Sequence, residues 1–228
     1  MFEPLAWSIQ YQTVHLVVLA YLLCYFICGI PFGLLFSKLF KKDKDLRTSG
    51  SGNIGFTNAL RVNGKAVGIL TLFFDVIKAY ISIQLASVLL SDALMLERSD
   101  LFSASFIWVL ALAFVACIVG HVFSIYLKFK GGKGIAVGLG ATLSFIPLTG
   151  LLILGVFFIG VISSKKVSVG SISAALAIVP CCLLYSQDIR FVLLCALVTI
   201  IVVWAHRSNI KKIMDGTESS ISKASHKE

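Results

Sequence analysis

Long apolar runs, separated in alternation by glycine-rich cationic loops, constrain this chain more than any other feature. The runs cover 14–36, 66–90, 101–119, 135–147, 151–162, 171–185 and 189–205. Crossing a bilayer takes about 20 apolar residues in a helix. The fourth, fifth and sixth runs are short for that, as expected of tilted, sunken or partly re-entrant segments. Hydrophobic residues make up 58% of the 228 and charged residues 14%, against about 25% charged in an average soluble domain. A soluble fold of this size cannot hide so much apolar surface. The composition excludes a secreted mini-protein, a disordered chain and an ordinary cytosolic enzyme. It predicts an all-α integral membrane protein of about seven transmembrane helices.

Charge sets the expected orientation. Of the 20 Lys and Arg residues, all but Lys78, Arg98 and Arg190 lie in segments 37–65, 121–134, 163–170 and the tail after 205. These segments alternate along the chain. The positive-inside rule then puts the N-terminus outside and the C-terminus in the cytoplasm. The net charge of +9 needs no nucleic acid to explain it; lipid or substrate phosphate suits those cations better. The first ten residues carry no basic group and do not read as a cleaved signal peptide. Residues 1–215 read as one polytopic membrane domain and 216–228 as a polar tail. Cys24, Cys28, Cys117, Cys181, Cys182 and Cys195 all sit in apolar runs with no CxxC or Cys/His spacing, so no metal and no disulfide is expected. Glycines four apart (Gly29/Gly33, Gly64/Gly68, Gly134/Gly138) allow close helix approach.

The loops are where chemistry can sit, because lipid tolerates irregular polar backbone only where protein or a wet cavity surrounds it. Residues 49–64 read SGSGNIGFTNALRVNG. Gly50, Gly52 and Gly55 let the backbone present consecutive N–H groups, which form an anion nest. Ser51, Asn53, Thr57 and Asn58 add neutral donors, and Arg61 adds a planar fork suited to phosphate. A flexible linker is the plainer reading, but a linker needs neither two asparagines nor an adjacent arginine. Residues 120–134 read GHVFSIYLKFKGGKG. Gly131, Gly132 and Gly134 surround Lys133 just before an apolar run, so a helix N-terminus can face an anion. A plain positive-inside loop is the alternative. The stretch is not a Walker A motif: Leu127 stands at the first glycine position and Gly134 at the Ser/Thr position. In HRSNIKKIMDGTE, 206–218, His206 and Asn209 are three apart and share a helix face. Taken alone, His206 is as well explained by an interfacial position.

Asp75 and Lys78 interrupt the second run at the same spacing and can pair. An unpaired charge at that depth costs about 3 kcal/mol, so they pair or face a wet cavity, as a structural ion pair or as a substrate contact. HExxH, GxSxG and HxxxxD arrangements are absent.

Together the three loops resemble the motifs of the bacterial acyl-phosphate:glycerol-3-phosphate acyltransferases, the PlsY family. Its pattern is approximately SGNxGATNxxRxxG, GHxFPxFxxFKGGKG and HRxNIxRLxxGxE. The resemblance covers nearly the whole chain. Phe56, Ser124, Val137 and Ala79 depart from the usual alanine, proline, threonine and glycine. It implies transfer of a fatty acyl group from acyl phosphate to the sn-1 hydroxyl of glycerol-3-phosphate, giving lysophosphatidic acid and phosphate. It also implies no cofactor, a multi-pass protein of the bacterial inner membrane with its site facing the cytoplasm, membrane lipids as surroundings, no nucleic acid, and a monomer. By resemblance the catalytic residues are Ser51, Arg61, Lys133 and His206. Substrate binding falls to Gly52, Asn53, Gly55, Thr57, Asn58, Gly131, Gly132, Gly134, Ser168 and Asn209. Asp75, Lys78, His121 and Glu218 are structural or touch substrate. The rival readings are an organic-phosphate transporter, with Asp75 and Lys78 about 14 and 18 Å along their span, and a non-catalytic lipid-binding scaffold. A transporter would favour two corresponding broken spans, and the chain shows no convincing internal repeat.

Overall fold

A computed structural model describes residues 13–40, 42–95 and 104–220. Among these the regular structure is helical: α1 Val14–Gly29, α2 Phe32–Leu39, α3 Phe56–Asn63, α4 Lys65–Ala93, α5 Ala104–Val122, α6 Ile135–Phe145, α7 Pro147–Ser164, α8 Val167–Tyr185, α9 Ile189–Ala205 and α10 Arg207–Met214. A single 3-10 turn, Ile125–Leu127, follows α5. Glu97, Arg98 and Asp100 of the opposite loop, the first ten residues and the tail beyond 220 lie outside the described residues.

Within the described residues each of the seven predicted apolar runs forms helix, but the lengths differ from expectation. Among the described residues four helices are long and apolar enough to cross a bilayer singly: α4, the stretch from α5 into the 3-10 turn, α7 and α8. The count rises to six if the bent pairs α1–α2 (43°) and α9–α10 (57°) each form one span. The remaining run is α6, whose 11 residues extend only about 16 Å, half of a roughly 30 Å hydrocarbon core. The fifth and sixth runs outgrow their apolar limits. Pro147 opens α7, where its missing N–H costs nothing. α7 continues through Ser163 and Ser164, whose hydroxyls donate to Ile159 O (2.8 Å) and Gly160 O (2.6 Å), four residues back.

Polarity runs inside out. Thr71, Asp75, Lys78 and Ser82 form a buried stripe on α4, while Ile69, Phe73, Ile81 and Val88 on its other face are more than half exposed. Lipid replaces water as the outer solvent for such a helix. The apolar core joins α1, α4, α5, α6, α8 and α9 around Phe106, Phe114 and Ile118. A second small cluster of Leu46, Ala59 and Val67 lies under the first loop. All six cysteines are free, as expected.

Glycines set the tightest crossings. A Cβ at Gly140 of α6 would lie 2.1 Å from Val76 O of α4, and one at Gly120 of α5 would lie 2.2 Å from Tyr25 O of α1. Of the glycines four apart, Gly33 (2.0 Å from Ile54 O) and Gly68 (2.8 Å from Leu60) do mark close approach, whereas Gly138 has ordinary room. Overpacking a tight site costs about 1–3 kcal/mol, or about 3–10 °C for a chain of this size. Gly140→Val is expected to lower the thermal midpoint by that amount in detergent. Gly155→Ala, at a position with nothing within 4 Å, is expected to leave it unchanged or slightly raised.

Candidate active site

The first loop is built around Asn58. Its Nδ2 donates to Leu46 O (3.0 Å), Ser49 O (3.1 Å) and Asn53 O (2.8 Å), and its Oδ1 accepts from Ser51 N (2.8 Å). The side chain is 1% exposed. Expected as a phosphate donor, Asn58 instead clasps the loop backbone, and its amide has no donor left for a ligand. Gly50 is left-handed (φ 64°) and packs so closely that a Cβ would sit 2.2 Å from Asn58 Oδ1. The clasp leads into α3, capped by Gly55 with extended backbone. The first-turn amides of Phe56 and Thr57 take no backbone acceptor among the described residues, so a short row of donors stands beside Ser51. Arg61 is exposed on α3 and has no carboxylate partner among the described residues. Arg47 is paired with Asp45.

The second loop leaves α5 through the 3-10 turn. Gly131 N donates to Val122 O (3.0 Å) and Gly132 N to His121 O (3.1 Å). These two amides, expected to cradle phosphate, satisfy the open carbonyls at the end of α5. The donors that remain stand one step later. Gly134 is left-handed (φ 87°) and caps α6, whose Ile135 and Ala136 amides have no backbone acceptor among the described residues.

The third loop meets the second directly. His206 and Asn209, both buried, flank the bend from α9 into α10. Lys133 Nζ donates to Asn209 Oδ1, and Asn209 Nδ2 donates to Glu218 Oε1 at 2.9 Å. Glu218 N also bonds Lys212 O (3.0 Å), so the stretch just after 216, expected as tail, is tied to the site. His206 Nδ1 lies 2.8 Å from Val202 O. A carbonyl only accepts, so Nδ1 carries the proton and the neutral ring keeps its lone pair on Nε2. Arg207 stacks on Trp204 (4.0 Å to the ring centroid), a pairing typical of the membrane boundary. Ser168, in the first turn of α8, has a buried Oγ with no hydrogen-bond partner, which a ligand could supply.

A cavity of about 330 Å³ between the first and second loops is lined by Arg47, Gly52, Ile54, Leu127, Lys128 and Lys130. Direct bonding therefore joins the second loop to the third, and a shared cavity joins it to the first. Arg47 and Ile54 were not singled out from the sequence; the run of cations near Gly52 was the available signal. Asp75 and Lys78 pair at 2.6 Å beside His121, whose carbonyl accepts from Gly132 of the second loop.

The profile of the family described as glycerol-3-phosphate acyltransferase matches residues 18–216. This chain belongs to that family. The Geotalea daltonii glycerol-3-phosphate acyltransferase is 38% identical over 175 residues, covering 77% of this chain and 83% of its own. The Staphylococcus aureus enzyme is also 38% identical, over 181 residues, covering 78% and 85%. The crystal structure of PlsY (YgiH), an integral membrane glycerol 3-phosphate acyltransferase in its glycerol 3-phosphate form, superposes with a TM-score of 0.77 at 28% identity, covering 92% of this chain and 96% of that one. Its lysophosphatidic acid form gives 0.74. The PlsY resemblance of the motifs thus extends to the whole fold of this acyltransferase.

Burial lowers Lys133 from the usual lysine value to about 8; nearby Glu218 opposes the shift and Lys212 adds to it. The free enzyme therefore loses this cation as pH rises through about 8. A phosphate dianion held by Lys133 would restore it, which would put the loss in kcat/KM rather than kcat. For glycerol-3-phosphate, kcat/KM is expected to fall about tenfold per pH unit well above pH 8. In Lys133→Arg, which stays charged at every accessible pH, that alkaline limb is expected to vanish even if the plateau is lower.

Proposed function

We propose that this glycerol-3-phosphate acyltransferase takes its acyl group from an acyl phosphate and places it on the sn-1 hydroxyl, giving lysophosphatidic acid and inorganic phosphate. What supports the reading is a pair of separate surfaces, rich in cations and free amide donors, in adjoining loops. One is the first loop with the α3 N-terminus and Arg61. The other is Lys133 with Asn209 and the α6 N-terminus. A reaction between two phosphorylated substrates requires two such places side by side. In this reading the chain crosses the bacterial inner membrane seven times, with the N-terminus outside and these loops in the cytoplasm. The α1–α2 and α9–α10 pairs and the short α6 then each count as a crossing, and the protein works as a monomer. The loop charges support this orientation.

In the reaction the glycerol hydroxyl oxygen bonds to the acyl carbon. The bond from that carbon to the bridging phosphate oxygen breaks, and the oxygen leaves with the phosphate. An acyl phosphate is already activated, so holding the partners in line and stabilising charge supply most of the acceleration. Lys133 and Arg61 offset phosphate charge. Ser51, Asn53, Thr57 and the backbone around Gly52 and Gly55 line the donor's phosphate. Asn209 and Ser168 orient the acceptor, and Gly131, Gly132 and Gly134 hold Lys133 in place. The hydroxyl proton goes to a phosphate oxygen or to His206 Nε2, the ring atom with the free lone pair. The acyl chain has a place nearby: an apolar groove of about 400 Å³ between α8 and the α9–α10 bend, lined by Val169, Ile172, Leu176, Val203, Ile210 and Ile213. Val169 and Ile210 follow Ser168 and Asn209 in sequence, which favours this groove for the acyl chain.

The test is reconstitution of the purified chain in lipid nanodiscs with long-chain acyl phosphate and glycerol-3-phosphate. Lysophosphatidic acid is expected without added metal or nucleotide, and Arg61→Ala and Lys133→Ala are each expected to lose at least about tenfold in kcat/KM while still inserting. Turnover with an acyl thioester but not with acyl phosphate would contradict the donor assignment.

A further inference from the structure

The cluster around Lys78 lies outside the site described above, and its geometry has a direction. α1 stops at Gly29 because Pro31 follows, and proline neither donates to the ladder nor tolerates the carbonyl behind it. The break leaves backbone carbonyls open at membrane depth, where each needs a partner. Ser124 Oγ donates to Gly29 O at 2.7 Å. Lys78 Nζ donates to Ile30 O at 2.8 Å. The same ammonium lies 2.6 Å from Asp75 Oδ1 and 3.3 Å from His121 Nδ1. A lysine has three protons and accepts nothing. Here the ammonium makes two hydrogen bonds, to the α1–α2 break and to the end of α5, and an ion pair within α4. Lys78 and His121 are 4% and 5% exposed.

The geometry passes through the imidazole to the second loop. Because the ammonium only donates, His121 Nδ1 bears the lone pair and Nε2 the proton. The Nε2 edge rests on Gly132, where a Cβ would lie 2.2 Å from Nε2 and 3.0 Å from Cε1. The carbonyls of His121 and Val122 accept from Gly132 and Gly131. One residue thus grips Gly132 with both its ring and its main chain, and Lys133 is the next residue.

We propose that His121, held by the Asp75–Lys78 pair, is a positioning residue for glycerol-3-phosphate. It fixes the Gly131–Gly134 segment, and thereby Lys133, against the α1–α2 break. This rests on the reading that Lys133 holds the acceptor's phosphate. A buried ion pair is a poor source of net stability; as a three-way tie it aligns the loop. Losing one acceptor strands a buried donor, which here is expected to appear as a displaced loop.

The experiment uses the full chain in nanodiscs, with steady-state kinetics in both substrates. Wild-type turnover comes first; its absence would count against the proposed function and leave the cluster to calorimetry of glycerol-3-phosphate binding. In His121→Phe, which keeps the ring and loses the Nδ1 acceptor, KM for glycerol-3-phosphate is expected to rise about tenfold. Its kcat is expected to stay within about twofold and the acyl donor's KM to be unchanged. His121→Asn puts Oδ1 near the place of Nδ1 and is expected to restore most of the loss. Gly132→Ala is expected to raise the same KM in the wild-type background and to add little in His121→Ala, where the methyl fills the vacated space. If His121→Phe does not fold, the joint Asp75→Asn, Lys78→Met variant, which leaves no unpaired charge, is expected to show the same selective rise. An unchanged KM for glycerol-3-phosphate, an equal loss toward both substrates, or additive effects of Gly132→Ala and His121→Ala would overturn the proposal.

Discussion

A half-buried ammonium held by a neutral amide is the interaction on which this site depends. Lys133 donates to Asn209, and the carboxylate of Glu218 lies on the far side of that amide. Had Glu218 paired with Lys133 directly, the cation would have been neutralised and the surface closed to anions. The amide sets the geometry without cancelling the charge. Burial works against the cation, and in the proposed function a phosphate bound there would offset that cost. The same contact ties α6 to α10, so binding and loop architecture are not separable at this point.

Around it the structure answers one demand: polar backbone away from water needs partners from the protein. Asn58 answers it for the first loop, the carbonyls ending α5 for the second, and Lys78 with Ser124 for the break at Pro31. The transporter alternative rested on Asp75 and Lys78 as a midplane substrate site. With Lys78 hydrogen-bonded to Ile30 and His121 and paired with Asp75, and α4 unbroken through both residues, that support is weakened.

Much of this was legible in the sequence because it follows from spacing. The apolar runs marked every long helix. The three-residue spacings of Asp75 with Lys78 and of His206 with Asn209 placed each pair on one face. Other features were not legible. An asparagine in a glycine-rich loop has the same donors whether they face a ligand or the loop itself, so the role of Asn58 required coordinates. The same holds for the amides of Gly131 and Gly132. Ser124 in place of proline read only as a departure, yet its hydroxyl closes the carbonyl of Gly29. Hydropathy already marked the fourth run, α6, as short for a crossing, but it did not reveal that α7 runs on through Ser163 and Ser164.

The most direct measurement of the central claim is the structure of this chain in a lipid bilayer with glycerol-3-phosphate bound. The account predicts a phosphate oxygen within hydrogen-bond distance of Lys133 Nζ, and another facing the first-turn amides of α6. A phosphate held elsewhere, with Lys133 still bonded only to Asn209, would contradict it.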